Sequence, residues 1–465
     1  MMFDYNLTGR DIQVQSEELA KFHSKFAHYF RSKNKNVSKA AYEYLQGQML
    51  TQGRRNMSQM TVQVSNINEQ SLSHFIGKSP WKEEPVMTAI KKEVVATIGS
   101  RNGSLLIDES GFPKQGNKSV GVARQYCGSL GKVENCQVGV FVAYTNGQNT
   151  MLIDKRLYLP AKWVDDPDRC RRAGIPENKI CFKTKAQLGL EMILQAKADN
   201  IPFEFVGMDA HYGEQPNLLN ELEANEIEYM ADVPCSTRIF LQLPMLAFPE
   251  RRGIRGRRPT RLRIVEGQPI EVRSLLDSNL LHWETCKIRD IQRGELWVKF
   301  ASIRVYRINK QSPHTPMVWL VIRKELDGSD VHYSFANANE HEHWQRLCEK
   351  QSTRYWVERA LQDAKGIAGM DEYQFISWQA WHHHITMVFL AMLFFLTLQQ
   401  RLLPKASLLS LQDARDILLS VMPRKHLSPT RACKIILQKH LNRFRSRISF
   451  LKKQSVCLVQ YHILI

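Results

Sequence analysis

Residues 104 to 233 carry a succession of apolar segments that restricts the fold more than any other part of this 465-residue sequence. The segments SLLID, CQVGVFVAYTNG and MLIDKRLYLP are apolar or alternating, as in strands, and Asn146-Gly147 predicts a hairpin turn. KTKAQLGLEMILQAKADN has helical periodicity, FEFVGMD is a short apolar strand, and LLNELEANE and IEYMADVP add one more helix and strand. The predicted order is therefore three antiparallel strands, a helix, a strand, a helix and a strand.

This order is that of a ribonuclease H-like α/β core, in which helices cover a mixed sheet. The fold class is thus predicted to be α/β, with a β-rich insertion in the core and helical N- and C-terminal regions. In the N-terminal region, a DNA-binding module and amphipathic helices packed on the core explain the pattern equally well. The predicted regions are a helical DNA-binding region at 1–95, the first part of the core at 96–234, the insertion at 235–343, the rest of the core at 344–400 and a basic helical region at 401–465.

The charge balance indicates a polyanionic partner. The chain has 64 Lys and Arg against 46 Asp and Glu, a formal charge of +18. Nucleic acid is a commoner partner than a membrane for a chain without lipid-anchoring features. A basic cluster falls within thirteen residues and is expected to contact phosphate through Arg255, Arg257 and Arg258, although a solvated basic face is the alternative. The C-terminal region from 401 onward is also basic, with 13 Lys or Arg and two Asp.

Cysteine usage and hydropathy predict a cytoplasmic protein without a membrane span, and a nucleic-acid partner would place it at the nucleoid. The nine cysteines are scattered and include no CxxC pair, which argues against a disulfide framework or a zinc ribbon. The start of the chain lacks the basic and apolar blocks of a signal peptide. The longest apolar run, Ile385 to Leu398, is shorter than the ~20 residues that cross a bilayer, and we predict a buried core helix there.

Two aspartates are the first candidates for chemistry. Asp108 in LLIDESGFPKQG and Asp209 in FEFVGMDAHYG each close an apolar strand beside a loop. Either one alone is more often a turn or cap residue. In the predicted core the two strands are neighbours, so the carboxylates would converge on one site, where a divalent cation could bind.

A third carboxylate is predicted on a helix. If Arg354 to Lys365 forms one helix, then Arg354, Glu358, Leu361 and Lys365 share a face. Such a set is usually a surface ion pair. Because this face also carries an apolar residue, we expect it to be partly buried, and burying charges without a function is costly.

With these motifs, the chain resembles the DDE superfamily of endonucleases, in the insertion-sequence transposase group with a Tyr-Arg-Glu-Lys signature. Arg354, Glu358 and Lys365 match the last three positions of that signature, whereas Gln351 stands at the tyrosine position. The resemblance covers roughly residues 20 to 400 and also includes LIDESGFPKQG, SPWKEE and SWQAWHHHITMVFLAML.

The resemblance implies a mechanism and partners. Asp108, Asp209 and Glu358 would be the catalytic residues and would hold two Mg²⁺ ions, for which Mn²⁺ could substitute. Arg354 and Lys365 would bind the phosphate. The partners would be double-stranded DNA, namely the terminal inverted repeats of a transposon and a target DNA, bound by a homodimer that carries out cut-and-paste transposition.

Two other functions fit the same residues. A ribonuclease H-like DNA nuclease would cut without joining strands, and an inverted repeat flanking the gene would distinguish it from a transposase. An inactive DNA-binding relative is expected to have lost one carboxylate, whereas all three candidates are present here.

Overall fold

The N-terminal part of the chain is helical, as predicted. The computed structural model describes residues 5–64, 67–248, 263–291, 294–308, 315–326, 328, 330–423 and four isolated positions beyond. The elements of this part are α1 (Gly9–Gln13), α2 (Gln15–Phe26), β1 (Arg31–Ser32), β2 (Lys35–Asn36), α3 (Ser38–Leu50), α4 (Met57–Gln63), α5 (Glu69–Gly77) and α6 (Glu83–Ile98).

The next part of the chain contains every strand and helix predicted between 104 and 233. One more strand, β4, is a short segment with exposed polar side chains that the apolar pattern does not reveal. The elements are β3 (Ser104–Pro113), β4 (Ala123–Cys127), β5 (Lys132–Thr145), β6 (Thr150–Leu157), α7 (Ala161–Val164), α8 (Pro167–Arg172), α9 (Lys185–Ala198), β7 (Phe205–Met208), α10 (Ala210–Gly213), α11 (Pro216–Ala224) and β8 (Glu228–Val233).

The direction of these strands sets the geometry of the site. β3 is antiparallel to β5, and β5 forms the predicted hairpin with β6, with Gly147 in the left-handed region at φ +87°. β3, β7 and β8 run parallel to one another, with α10 and α11 between β7 and β8. The carboxyl ends of β7 and β8 therefore face the same edge of the sheet.

In its described residues, the segment predicted as a β-rich insertion is built mainly of strands, and most of them extend the central sheet. β16 pairs antiparallel with β8, so that strands on both sides of the 234/235 boundary belong to one 12-stranded sheet. β10 and β11 form a separate antiparallel ribbon. The strands are β9 (Arg238–Phe240), β10 (Met245–Ala247), β11 (Arg263–Glu266), β12 (Ile270–Glu271), β13 (Glu284–Ile291), β14 (Gly294–Arg307), β15 (Met317–Glu325) and β16 (Val331–Ala336).

Helices return after the sheet, and one of them is the centre of the helical layer. They are α12 (Trp344–Ser352), α13 (Tyr355–Ala368), α14 (Trp378–Leu402) and α15 (Leu411–Val421). By length and composition α14 could cross a membrane, but 78% of its most apolar window is buried inside the protein. The prediction of a buried core helix at Ile385 to Leu398 is confirmed.

The N-terminal helices pack around α14. Phe22 of α2 makes an edge contact with Phe394, with ring centroids 5.3 Å apart. The hydroxyl of Tyr44 on α3 hydrogen-bonds Nδ1 of His384 at 2.8 Å. These apolar faces belong to the same core as the central sheet. The helical pattern of this region is therefore explained by packing, and its role in DNA binding stays a prediction.

Candidate active site

Three aspartates lie at equivalent positions on three neighbouring parallel strands. Ile107 pairs in register with Met208, and Met208 with Ala231. The residues that follow these three are Asp108, Asp209 and Asp232. Neighbouring strands are about 4.8 Å apart, so the aspartates form a row across the edge of the sheet. We call Asp108, Asp209 and Asp232 the aspartate row.

Asp108 lies within its strand, and the expectation that it ends the strand is wrong. β3 continues to Pro113 because its other edge stays paired with β5, from Ser104 opposite Thr145 to Pro113 opposite Cys136. The parallel partner β7 stops at Met208. Asp108 is therefore the first residue of β3 beyond the end of β7, where one edge of the strand loses its neighbour.

The surroundings of Asp108 disfavour its charge. Burial, together with the charges of Asp209 and Glu109, raises the pKa of Asp108 to about 7, against the opposing effects of the Glu109 backbone N–H and Arg354. That N–H donates to Oδ1 of Asp108 at 2.7 Å. Two carboxyl groups in a partly dehydrated site repel each other, and a bound cation would relieve this repulsion.

Asp209 follows β7 directly and caps the short helix α10. The backbone N–H of Tyr212 donates to Oδ1 of Asp209 at 3.3 Å. Burial raises the pKa of Asp209, and Glu109 adds to the rise, whereas the Tyr212 N–H and Arg354 oppose it. Asp209 can therefore cap α10 and bind a ligand at the same time. Its Oδ1 accepts the Tyr212 N–H, and among the described residues no donor hydrogen-bonds its Oδ2.

Arg354 joins Glu358 to the aspartate row. Its Nε forms an ion pair with Oδ2 of Asp232 at 2.8 Å, and its Nη1 donates to Oε1 of Glu358 at 2.7 Å. Burial alone would lower the pKa of Arg354, but Asp232, Glu358 and Asp108 outweigh it and raise the pKa. The guanidinium group is therefore held as a cation between the sheet and helix α13.

The helix of Glu358 begins one residue later than predicted. Arg354 has right-handed helical torsions but stands before the first residue of α13, so that Arg354 and Glu358 still share a face. The side chain of Glu358 is 52% exposed and that of Arg354 is 26% exposed. The expectation of a partly buried face holds for Arg354 and not for Glu358, whose carboxylate points toward solvent beyond the arginine.

Lys365 lies further along α13 on the same side. Burial lowers the pKa of Lys365, and the negative charges of Asp371 and Asp108 counteract this effect. Its ammonium group is therefore near enough to Asp108 to interact with it electrostatically. The structure thus places four of the predicted residues, Asp108, Asp209, Arg354 and Lys365, around one edge of the sheet, with Glu358 attached through Arg354.

A hydrogen-bonded group behind Arg354 was not predicted from the sequence. The Ser334 hydroxyl donates to Oδ1 of Asp232 at 2.6 Å, and Nε2 of Gln351 donates to the Ser334 hydroxyl oxygen at 2.8 Å. Ser334 is fully buried and Gln351 is 4% exposed. Asp232 has a signal in the sequence, because in IEYMADVP an aspartate follows an apolar run, as in the segments of Asp108 and Asp209. Ser334 has none, since it lies about 100 residues away and meets Asp232 only through strand pairing.

A second carboxylate cluster lies elsewhere and is occupied by a lysine. The cluster consists of Glu204, Glu228 and Glu342. Each offers one carboxylate oxygen, and in the described ranges these three oxygens lie within 4.8 Å of one another. Nζ of Lys350 contacts these carboxylates at 3.0, 2.5 and 2.8 Å, and the lysine side chain is 1% exposed. The ammonium group fills the position of a cation, so we regard this as an ion cluster and not as a metal site. Asp108, Asp209 and Glu358 do not form a group that tight.

The predicted phosphate contacts Arg255, Arg257 and Arg258 lie outside the described residues. The two strands that bracket this segment, β10 and β11, pair antiparallel from Met245 opposite Glu266 to Ala247 opposite Arg263.

Comparisons with known proteins found a matching family and similar proteins. The family described as DDE superfamily endonuclease matches residues 25–295, a range that includes Asp108 and Asp209 and ends before Glu358. A probable transposase for insertion sequence element IS701 from Microchaete diplosiphon is 27% identical over 216 residues, which cover 46% of this chain and 54% of that protein. The match thus spans about half the length of this relative. Among solved structures, the cryo-EM structure of the piggyBac transposase synaptic complex with hairpin DNA aligns with a TM-score of 0.39 and 10% identity, over 89% of this chain and 79% of that one.

Proposed function

Since the chain belongs to the DDE superfamily of endonucleases, we propose that it is a transposase that cuts DNA at the ends of a mobile element and joins them to target DNA. The observation that carries this proposal is the register of β3 and β7, which brings Asp108 and Asp209 side by side. The relative named as a probable transposase supports the assignment to mobile-element DNA.

The carboxylates of Asp108 and Asp209 fit hard divalent cations. Carboxylate oxygens are the ligands that Mg²⁺ prefers, and burial, together with neighbouring negative charge, raises the pKa of both residues. We propose that Asp108, Asp209 and Glu358 hold Mg²⁺ and that Mn²⁺ can substitute. Two such ions would activate the attacking oxygen and stabilise the oxygen that leaves phosphorus.

The cationic side chains would position the DNA. Arg354 and Lys365 lie on the same side of α13, and both interact electrostatically with Asp108. We propose that they bind the non-bridging oxygens of the scissile phosphate, because a guanidinium group forms paired hydrogen bonds with phosphate and an ammonium group adds charge. In cleavage the attacking oxygen is that of water, and in joining it is the 3′-hydroxyl of the cut strand.

We further propose that β3 to β8 form a ribonuclease H-like core. In support, β5 is antiparallel and adjacent to β3, and β7 and β8 continue the sheet in parallel on the other side of β3. This is the order and direction that the sequence pattern predicts for such a core. The strands from β9 to β16 then extend its far edge.

The partners follow from the same proposal. Terminal inverted repeats and a target DNA would be the substrates, and a homodimer would hold two ends together. The net charge of +18 favours a polyanion. A cytoplasmic location at the nucleoid is where such a substrate is found in bacteria.

Cleavage of the DNA that flanks the gene tests the proposal. A labelled duplex carrying the DNA immediately outside the open reading frame is incubated with the protein and Mg²⁺ or Mn²⁺. We expect cuts at the boundary of an inverted repeat, followed by joining to an unlabelled plasmid. Cutting without joining would favour a nuclease, and binding without cutting would favour an inactive relative.

A further inference from the structure

Asp232 is the member of the aspartate row for which the proposed chemistry has no role. It lies on β8, one strand beyond Asp209, and pairs with Ser334 across the antiparallel ladder to β16. Both of its oxygens are engaged, Oδ1 by the Ser334 hydroxyl at 2.6 Å and Oδ2 by Nε of Arg354 at 2.8 Å. A carboxylate held in this way is oriented for its partners and has little capacity left for a metal ion.

The donors and acceptors around Asp232 form one directed chain. The amide nitrogen of Gln351 donates to Ser334, and the serine hydroxyl can therefore donate its own hydrogen to Asp232. Arg354 forms an ion pair with Asp232 on one side and donates a hydrogen bond to Glu358 on the other. Each member contacts the next, and the chain of contacts begins at buried Gln351 on α12, passes through the sheet at Ser334 and Asp232, and ends at the exposed carboxylate of Glu358.

Glu358 needs such a support. Its side chain is 52% exposed, so little packing restricts its rotamers, whereas Ser334 and Gln351 are buried. Arg354 is the contact that connects it to the sheet. An arginine without a second fixed partner would not hold Glu358 in one place, because its own side chain has many rotamers.

We propose that Asp232 is a positioning residue that orients Arg354 and, through it, Glu358, with Ser334 and Gln351 holding Asp232 in turn. This inference rests on the function proposed above. Gln351 stands at the tyrosine position of the signature. Its role would then be to donate a hydrogen bond inside the protein and not to contact DNA.

The main test is Asp232→Asn, which keeps the shape of the side chain, removes its charge and sets an amide donor against Ser334. We expect kcat for cleavage of the flanking-DNA duplex to fall about tenfold to a hundredfold, as for a misplaced catalytic group, with KM changed less than about twofold. The matched control is Asp363→Asn, which removes another Asp–Arg Nε contact on α13, at 3.0 Å from Arg359. The control variant should cleave like wild type.

Two readouts separate positioning from metal binding and from a general effect on folding. Mn²⁺ binding, measured by electron paramagnetic resonance without DNA, should be weakened much less in Asp232→Asn than in Asp108→Asn, because Asp232 would act only through the position of Glu358, one of the three proposed ligands. In a double-mutant cycle, adding Asp232→Asn to Arg354→Gln should cause no further loss of kcat, since both changes break the same chain. Ser334→Ala keeps the contact between Asp232 and Arg354 and should therefore reduce kcat less than Asp232→Asn does. It is the variant to test if Asp232→Asn does not fold.

The outcomes separate this inference from the proposed function. Equal kcat for Asp232→Asn and wild type, or additive losses in the cycle, would overturn the positioning role alone. A loss of Mn²⁺ binding in Asp232→Asn as large as that in Asp108→Asn would show that Asp232 is a metal ligand instead. A wild-type protein that cuts no DNA would overturn the proposed function, and the positioning role with it.

Discussion

Asp108 lies beside Asp209 across the parallel pair β3 and β7, and the charge of Asp209 adds to burial in raising the pKa of Asp108 to about 7. Asp108 is thus partly protonated near neutral pH in the protein without a bound cation. A divalent ion binds the ionised form, so ion binding and proton release at this residue are coupled.

The first prediction is that Mn²⁺ binding depends on pH through Asp108. As the pH falls below about 7, the proton on Asp108 competes with the ion, and the affinity should fall by up to about tenfold for each pH unit. Isothermal titration calorimetry in buffers of different ionisation enthalpy measures both the affinity and the proton released. Asp108→Asn should bind more weakly and with a flatter pH dependence. Constant affinity in the wild type from neutral to mildly acidic pH would contradict the assignment.

The second prediction concerns the three proposed metal ligands. Asp108→Ala, Asp209→Ala and Glu358→Ala should each reduce cleavage by about a thousandfold or more, because several kcal/mol of transition-state stabilisation are lost. DNA-end binding, followed by gel shift, should be largely retained, since these carboxylates would hold ions and not DNA. Near wild-type cleavage by Glu358→Ala would show that another residue is the third ligand.

The local parts of this structure could be predicted from the sequence. Strands β3 and β5 to β8 and helix α9 have strong apolar patterns, and an aspartate follows β7 and is the last residue but one of β8. The positions of Asp108 and Asp209 on neighbouring strands followed from the order of these elements. β4 was missed because a short strand with alternating exposed polar residues has no distinctive apolar pattern.

The non-local parts could not be predicted in this way. The pairing of β16 with β8 joins segments about 100 residues apart, and only this pairing brings Ser334 to Asp232. The break between α12 and α13 at Thr353 and Arg354 contains neither Gly nor Pro to mark it. The exposure of Glu358 depends on what packs near its helix face, which the spacing along α13 does not determine.

The third prediction tests the ion cluster around Lys350. Lys350→Met would leave the carboxylates of Glu204, Glu228 and Glu342 close together without their shared cation, at a cost of about 3 kcal/mol in the free energy of unfolding. Lys183→Met, which removes a half-exposed lysine paired with Glu191, should cost less than about 1 kcal/mol. Urea unfolding followed by circular dichroism gives both values. Equal costs would mean that the buried ammonium group is not what stabilises the cluster.

The fourth prediction concerns the basic segment between β10 and β11. Replacing Arg255, Arg257 and Arg258 together with Gln should reduce the slope of log affinity against log salt by about 3, because three phosphate contacts no longer release counterions. The control removes three positive charges from exposed positions at Arg171, Arg172 and Lys179, and should leave the slope unchanged. Fluorescence anisotropy with a labelled duplex measures the slope. An unchanged slope in the arginine variant would favour a solvated basic face.

The last prediction concerns Gln351, which stands at the signature's tyrosine position. Because Gln351 is 4% exposed and donates to Ser334, a tyrosine there would be overpacked and would lose the amide donor, and we expect a loss of about 1–3 kcal/mol in stability. Gln351→Tyr should therefore cleave more slowly and should not increase the fraction of covalently closed hairpin ends on a denaturing gel of end-labelled donor DNA. Gln345→Tyr, at an exposed position of the same helix, is the matched control and should behave like wild type. More hairpin ends with Gln351→Tyr would instead show that this position contacts the DNA end directly, since an aromatic ring offers a stacking face that glutamine lacks.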